Sequence, residues 1–141
     1  MRSACYNVAM RDSIFTKIIK GEIPCHKVYE DDKTLAFMDI HPIQPGHVLV
    51  VPKAQVDFFW NMPAADYLAL MATVQKVSQR IRKVFPDKSR VGVIIEGLDV
   101  PDHTHVKVFP FGTDEEFRTK QDPASEPDHA ALAELAQKLA F

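Results

Sequence analysis

One helical pattern, from Pro63 to Phe85, is long enough to constrain the fold of this 141-residue chain. Its apolar positions recur every three or four residues, the spacing of one buried helix face: Tyr67, Leu70, Val74, Val77, Ile81 and Val84. Pro63 suits the first turn of a helix, and Pro86 ends the pattern. Because nothing else in the chain is helical over such a length, we expect this helix to lie across a sheet.

Strand-like segments lie on both sides of that helix. The short patterns predict strands at Lys27–Glu30, Thr34–Asp39, His47–Pro52, Arg90–Ile95 and Thr104–Phe109. Short helices are predicted at residues 14–20 and 128–139. Strands and helices do not alternate strictly, so the sequence favours an α+β fold with an antiparallel sheet over a doubly wound parallel sheet.

Composition says more about the binding partners and the cellular compartment of the protein than about its chemistry. The formal charge of −2 gives no general attraction to nucleic acid or to an anionic membrane, so any affinity for phosphate must be local. Cys5 and Cys25 have neither metal-ligand nor redox spacing, and a reduced cytoplasm is the simplest setting. Residues 1–11 are interpreted as an N-terminal extension, not as a signal peptide, and the apolar runs are too short for a membrane span.

The last predicted strand contains the most informative pattern. Side chains alternate across a strand, so His103, His105 and Lys107 share one face, while the residues between them form an apolar face. Three basic groups in a row are costly to bury without an anion or hydrogen bonds, and phosphate is the commonest biological anion. His105 can act as a nucleophile at neutral pH if its other ring nitrogen is held as a donor, with His103 and Lys107 stabilising charge on the phosphoryl oxygens.

The two histidines also permit other interpretations. A solvent-facing polar strand and a zinc pair both fit an alternation of two imidazoles. The zinc interpretation is weakened because Lys107 would stand beside the ion and no cysteine is near in sequence. From the pattern alone these alternatives stay open.

Several segments together resemble the histidine triad (HIT) family from about Asp12 to Pro110. The similarity is carried, in order and at the family's spacing, by Ser13–Ile19, Gly21–Pro24, Val28–Asp31, Leu35–Ile40 and Pro45–Lys53. The resemblance implies an α+β protomer with an antiparallel sheet of about five strands, and a homodimer that joins two sheets. It divides the chain into an extension, residues 1–11, a HIT domain, residues 12–112, and a C-terminal segment of the same domain, residues 113–141.

The resemblance also implies a chemistry and its residues. It implies hydrolysis or transfer at the α-phosphorus of a purine nucleotide through a nucleotidyl-histidine, with no cofactor or metal. His105 matches the nucleophile, His103 the first triad histidine, and His47 a histidine that borders the phosphate pocket. Asp39 matches the acceptor for the ribose hydroxyls. The positions that match the base pocket are Phe15, Ile18, Phe37, Ile40 and Leu49.

The chain departs from the family pattern at the phosphate. Lys107 stands at the third triad position, where a lysine can bind a phosphoryl oxygen but cannot readily deliver a proton at neutral pH. Asp99, in the loop before the triad, either replaces a hydroxyl residue at the phosphate or is a turn residue. Ser13 and Thr16 stand where some relatives have zinc-binding cysteines, so a structural zinc is not expected.

Three functions remain to be compared. The first is an enzyme that cleaves a nucleoside phosphoramidate, an acyl-nucleotide or a dinucleoside polyphosphate. The second is a non-catalytic nucleotide-binding or regulatory protein, which the Lys107 substitution favours. The third is metal-dependent hydrolysis through His47, His103 and His105.

Overall fold

The structure, a computed structural model, describes residues 11–141; Cys5 and the predicted extension up to residue 10 lie outside them. Five strands are present: β1 Lys27–Glu30, β2 Thr34–Met38, β3 Val48–Pro52, β4 Arg90–Ile94 and β5 Val106–Phe111. The helices are α1 Ile14–Ile19, α2 Ala64–Val84, α3 Asp114–Phe117 and α4 His129–Leu139, with a 3₁₀ turn at Phe59–Asn61. The long helix and the α+β class are therefore confirmed.

The strands form a single antiparallel sheet in the order β1-β2-β3-β5-β4. The last strand is thus inserted beside the third, with Leu49 opposite Lys107 and Val50 opposite Val106. This register puts Lys107 on the same face as Leu49. The sheet of about five strands that the sequence led us to expect is confirmed.

The two faces of the sheet carry different cores. On one face, alternate residues of β2, β3 and β5 pack with α2 and α4, including Val50, Val106 and Leu70. On the other face, Phe37 and Leu49 pack with Phe15 of α1. Since α1 is only six residues long, it covers that face only in part, and the chemistry-bearing side chains lie there.

Several boundaries differ from the prediction by one residue, at the ends of α1, β2, β3, β4 and α4, and the larger differences are as follows. The last strand begins at Val106 instead of Thr104 and runs through Pro110, because the Thr104 backbone N–H donates to Val56 O instead of joining the ladder. Pro63 caps α2 and does not lie within it. The 3₁₀ turn and α3 were not predicted, since each is no more than one turn long. Among residues 11–141 no helix has the length and apolar character needed to cross a bilayer.

Candidate active site

A cavity of about 1000 Å³ opens beside α1 and the ends of β2 and β3. Its volume is at the upper end of the range for small-molecule sites. All six residues proposed for the nucleoside line it: Phe15, Ile18, Phe37, Asp39, Ile40 and Leu49. Asp99 and Lys107 line it as well, so the structure brings these eight side chains to one cavity.

His47 enters the site from a tight turn. Gly46 adopts φ 94°, and a side chain there would come within 2.6 Å of the Phe85 ring, so the position requires glycine. The Ile43 backbone N–H donates to His47 Nδ1 at 2.9 Å, which leaves the proton of the neutral ring on Nε2. This Nε2 has no hydrogen-bond acceptor among the described residues; Asp39 Oδ2 lies 3.5 Å away. Burial, with the nearby charge of Lys107, lowers the pKa of His47 to about 3.

His105 is held in the tautomer that a nucleophile needs. Its Nδ1 donates to the carbonyl oxygen of His103 at 3.0 Å, so the lone pair of the neutral ring is on Nε2. The ring is 1% exposed, and its Nε2 has no partner within residues 11–141. Phe15 packs edge-on against it, with ring centroids 5.1 Å apart. The result is a buried imidazole whose reactive nitrogen is free.

His103 has no free nitrogen. Its Nε2 donates to Pro52 O at 2.8 Å, and its Nδ1 accepts from Ser13 Oγ at 2.6 Å. Burial lowers the pKa of this imidazole below its usual value. With both nitrogens engaged, His103 cannot also bind a phosphoryl oxygen in this arrangement, in contrast to the role predicted from its position on the strand. The contact from its backbone carbonyl to His105 makes it a positioning residue.

Lys107 is surrounded by acceptors. Its Nζ donates to Glu96 Oε1 at 2.7 Å and to Gln121 Oε1 at 2.7 Å, and it lies 3.2 Å from Asp99 Oδ2. Burial alone would lower the pKa of the ammonium, but the hydrogen bonds to Glu96 and Asp99 outweigh this and raise it. Although burial opposes it, the contact with Lys107 lowers the pKa of Asp99. Asp99 therefore serves as a counter-ion of Lys107.

Gln121 contacts two charged residues that line the cavity, Asp39 and Lys107. Its Nε2 donates to Asp39 Oδ2 at 3.0 Å and to His41 O at 2.7 Å, while its Oε1 accepts from Lys107. Burial raises the pKa of Asp39, against the opposing effect of the hydrogen bonds from the His41 backbone and from Gln121. The proposed ribose acceptor and the proposed phosphate cation therefore share one internal ligand.

Sequence reasoning missed three of these partners. The sequence assigned no role at the site to Glu96 or Gln121, and it gave Ser13 no contact with a histidine. Ser13 does cap α1, and the same hydroxyl reaches a histidine 90 residues away in the chain. No local pattern indicated such contacts. Within the described part of the chain, no group of three or more His, Cys, Asp or Glu side chains is arranged to hold a metal.

The fold and the site together define a small α+β protein with an apolar, nucleotide-sized cavity beside buried imidazoles. The sequence profile of the HIT domain matches residues 20–113. The chain belongs to the HIT family.

Two relatives with named activities and one crystal structure agree with this family assignment. The chain is 34% identical to adenosine 5′-monophosphoramidase HNT1 of Candida albicans over 89% of its own length and 88% of that protein. It is also 34% identical to adenylylsulfatase HINT3 of Arabidopsis thaliana over 70% of its length, but the match spans only 52% of the Arabidopsis protein. The crystal structure of a HIT-like protein from Bartonella henselae, described as involved in cell-cycle regulation, superposes with a TM-score of 0.79 and 28% identity, covering 94% of this chain and 97% of that one.

Proposed function

We propose that the protein is a nucleotide hydrolase in which His105 attacks the α-phosphorus of a nucleoside phosphoramidate, an acyl-nucleotide or a dinucleoside polyphosphate. The observation that carries the proposal is the pair of buried, unpartnered nitrogens, His105 Nε2 and His47 Nε2. Buried polar atoms without partners are rare in proteins and require a reason. Among the described residues, His105 Nε2 has a lone pair and no donor, while His47 Nε2 has a proton and no acceptor. A phosphoryl group supplies both missing partners.

The reaction has two steps. His105 Nε2 forms a bond to phosphorus while the bond to the leaving amine, carboxylate or phosphate breaks; the leaving group takes the electron pair, and an amine also takes a proton from solvent. Positive charge then develops on the imidazole, and the hydrogen bond from Nδ1 to His103 O strengthens. Water next attacks phosphorus and gives a proton to solvent, and the bond to His105 breaks, with the electron pair returning to Nε2, to release the nucleoside monophosphate. His47 Nε2–H donates to a non-bridging oxygen throughout.

The remaining residues orient the nucleotide. Asp39 accepts from the ribose hydroxyls, and the apolar lining from Phe15, Phe37 and Leu49 contacts a purine base. Lys107, at the third triad position, contributes charge at the phosphate instead of a proton. The phosphoramidase and adenylylsulfatase names of the Candida and Arabidopsis relatives agree with chemistry at an adenylyl phosphorus.

The functional unit in this proposal is a homodimer that continues the sheet across β4. Within the described residues, the outer edge of β4 pairs with no other strand, and Val93 in this strand and Leu98 in the loop after it are exposed. The opposite edge, at β1, is covered in part by Phe141, whose N–H donates to Val28 O. Light scattering after size exclusion tests this, with twice the monomer mass expected and a monomer contradicting it.

A second candidate, nucleotide binding without turnover, is favoured by one observation. Glu96, Asp99 and Gln121 already satisfy Lys107, which weakens its attraction for a transferred phosphoryl group. Adenosine phosphoramidate mixed with wild type and His105→Ala separates the candidates. Hydrolysis requires a drop in turnover of roughly 10³-fold or more in the variant. Equal turnover by both proteins refutes the nucleophile, and calorimetric binding of AMP without any turnover supports the second candidate.

A further inference from the structure

The C-terminal part of the chain places one side chain between the two groups that a nucleotide needs. Gln121 Nε2 lies 3.0 Å from Asp39 Oδ2, and Gln121 Oε1 lies 2.7 Å from Lys107 Nζ. The polarity of the amide matches both neighbours, because its donor end meets a carboxylate and its acceptor end meets an ammonium. Both neighbours are buried, with Lys107 only 4% exposed.

These contacts compete with the nucleotide. In the proposed function, Asp39 accepts from ribose hydroxyls and Lys107 meets the phosphate, so each needs the lone pair or proton that Gln121 now holds. The His105 imidazole, 1% exposed, is also not among the residues that line the cavity. A substrate therefore has to open the site before the phosphorus can reach the His105 nitrogen.

The segment that carries Gln121 is irregular and mostly exposed, so it can be displaced from the site. Residues 119–125, which we call the strap, contain no helix or strand, and all except Gln121 are exposed. Side chains hold the strap to the loop after β2: Gln44 Nε2 donates to Thr119 Oγ1 at 3.0 Å, and His41 Nδ1 lies 3.3 Å from Ser125 Oγ. Exposed hydrogen bonds of this kind contribute little net free energy, so the strap can leave without unfolding the domain.

From these contacts we infer that the strap is an internal competitor that ligates the empty site through Gln121 and is displaced when a nucleotide binds. This inference rests on the proposed function, since it takes Asp39 and Lys107 as nucleotide ligands. It makes Gln121 a residue that lowers affinity. A residue that contacts the nucleotide would have the opposite effect on affinity.

Calorimetric titration of AMP into wild type and Gln121→Ala tests whether Gln121 lowers or raises the affinity for the nucleotide. We expect Gln121→Ala to bind AMP roughly tenfold more tightly, because two hydrogen bonds to charged groups no longer have to be broken. Adenosine, which requires only Asp39 to be freed, should gain less than AMP. Gln44→Ala loosens the strap without touching either ligand group and should tighten AMP binding about twofold to threefold. Gln79→Ala makes the same truncation on the exposed surface of α2 and should leave the Kd unchanged.

Hydrogen exchange on the wild-type protein provides a readout that does not depend on any variant. The amides of Thr119 and Ser125 are hydrogen-bonded within or next to the strap, to Glu116 O and Asp122 O, and should exchange faster when AMP is saturating. AMP binding that is equal or weaker in Gln121→Ala, or strap exchange that slows or does not change, overturns this inference and leaves the proposed function intact. No AMP binding to either protein overturns both.

Discussion

The site has an imidazole end, formed by His47 and His105, and an ammonium end, formed by Lys107 with Glu96 and Asp99. The imidazoles and the Lys107 side chain are buried on the same face of the sheet, but their hydrogen bonding is opposite. Among residues 11–141, the imidazole end has two nitrogens without a partner, whereas the Lys107 ammonium has three acceptors. The two imidazole nitrogens therefore lack partners that a phosphoryl group could supply once the site opens, whereas the Lys107 ammonium must first release its internal partners.

The largest effect should come from titrating His47. The pKa of His47 is about 3 in the folded protein against 6.5 ordinarily, so on acidification the unfolded state takes up the proton first. Its contribution to stability is complete above pH 6.5 and is lost as the pH falls toward 3, at about 1.4 kcal/mol per pH unit. Between pH 7 and pH 5 this amounts to about 2 kcal/mol.

Urea unfolding of wild type and His47→Asn at both pH values isolates this contribution. Asparagine retains an acceptor for the Ile43 N–H, so we expect the variant to lose about 2 kcal/mol less than wild type between pH 7 and pH 5. The control Gln79→Asn changes a side chain that does not titrate, on the exposed surface of α2, and should follow the wild-type slope. Equal slopes for wild type and His47→Asn would show that the ring at this position is not held neutral.

A smaller effect is expected at the ammonium end. Replacing both carboxylates, Glu96→Gln with Asp99→Asn, removes two negative charges within 3.2 Å of Lys107 Nζ. AMP should then bind roughly five- to tenfold more tightly at low salt, with the gain shrinking as salt rises. Glu115→Gln with Glu134→Gln changes the net charge equally at exposed positions and serves as the control. Weaker binding in the site variant would mean that the carboxylates contact the substrate.

Part of this comparison could be predicted from sequence. Alternation along an extended segment is sufficient to put His103, His105 and Lys107 on one face, although the strand itself begins only at Val106, and the cavity lining followed from the family resemblance. The partners of Lys107 and Asp39 could not be predicted, because Gln121 is 82 positions from Asp39 and its placement depends on the path of an irregular segment. The periodicity of a sequence indicates which residues share a face of one helix or strand. It does not indicate which distant loop contacts that face.

Ser13 offers a finer test of the imidazole end. Ser13→Ala removes the hydroxyl that donates to His103 Nδ1, and with it one constraint on the carbonyl that holds His105. We expect kcat for adenosine phosphoramidate to fall about threefold to fivefold with little change in KM. Thr16→Val, which removes a neighbouring hydroxyl 3.4 Å from the same nitrogen, is the control and should have less effect. A change in KM alone would mean that Ser13 acts on binding.

The smallest effect is expected from Lys107→His. If the ammonium acts only through charge, turnover of a substrate with a good leaving group should stay within about twofold of wild type. Substrates with poor leaving groups provide the contrast. Lys107→His would turn these substrates over faster than wild type only if the histidine delivered a proton to the leaving group. Parallel kinetics with an acyl-adenylate and an adenosine phosphoramidate measure this. A selective gain for the poorer leaving group would mean that proton delivery is missing in the wild-type protein.

Trapping the covalent intermediate tests the central claim most directly. The protein is mixed with adenosine phosphoramidate, quenched within one turnover and measured by intact and peptide mass spectrometry under conditions that preserve phosphoramidate bonds. The account predicts a mass increase of one adenylyl group, located on His105 and missing from His105→Ala. An adduct on another residue, or full turnover by His105→Ala, would contradict it.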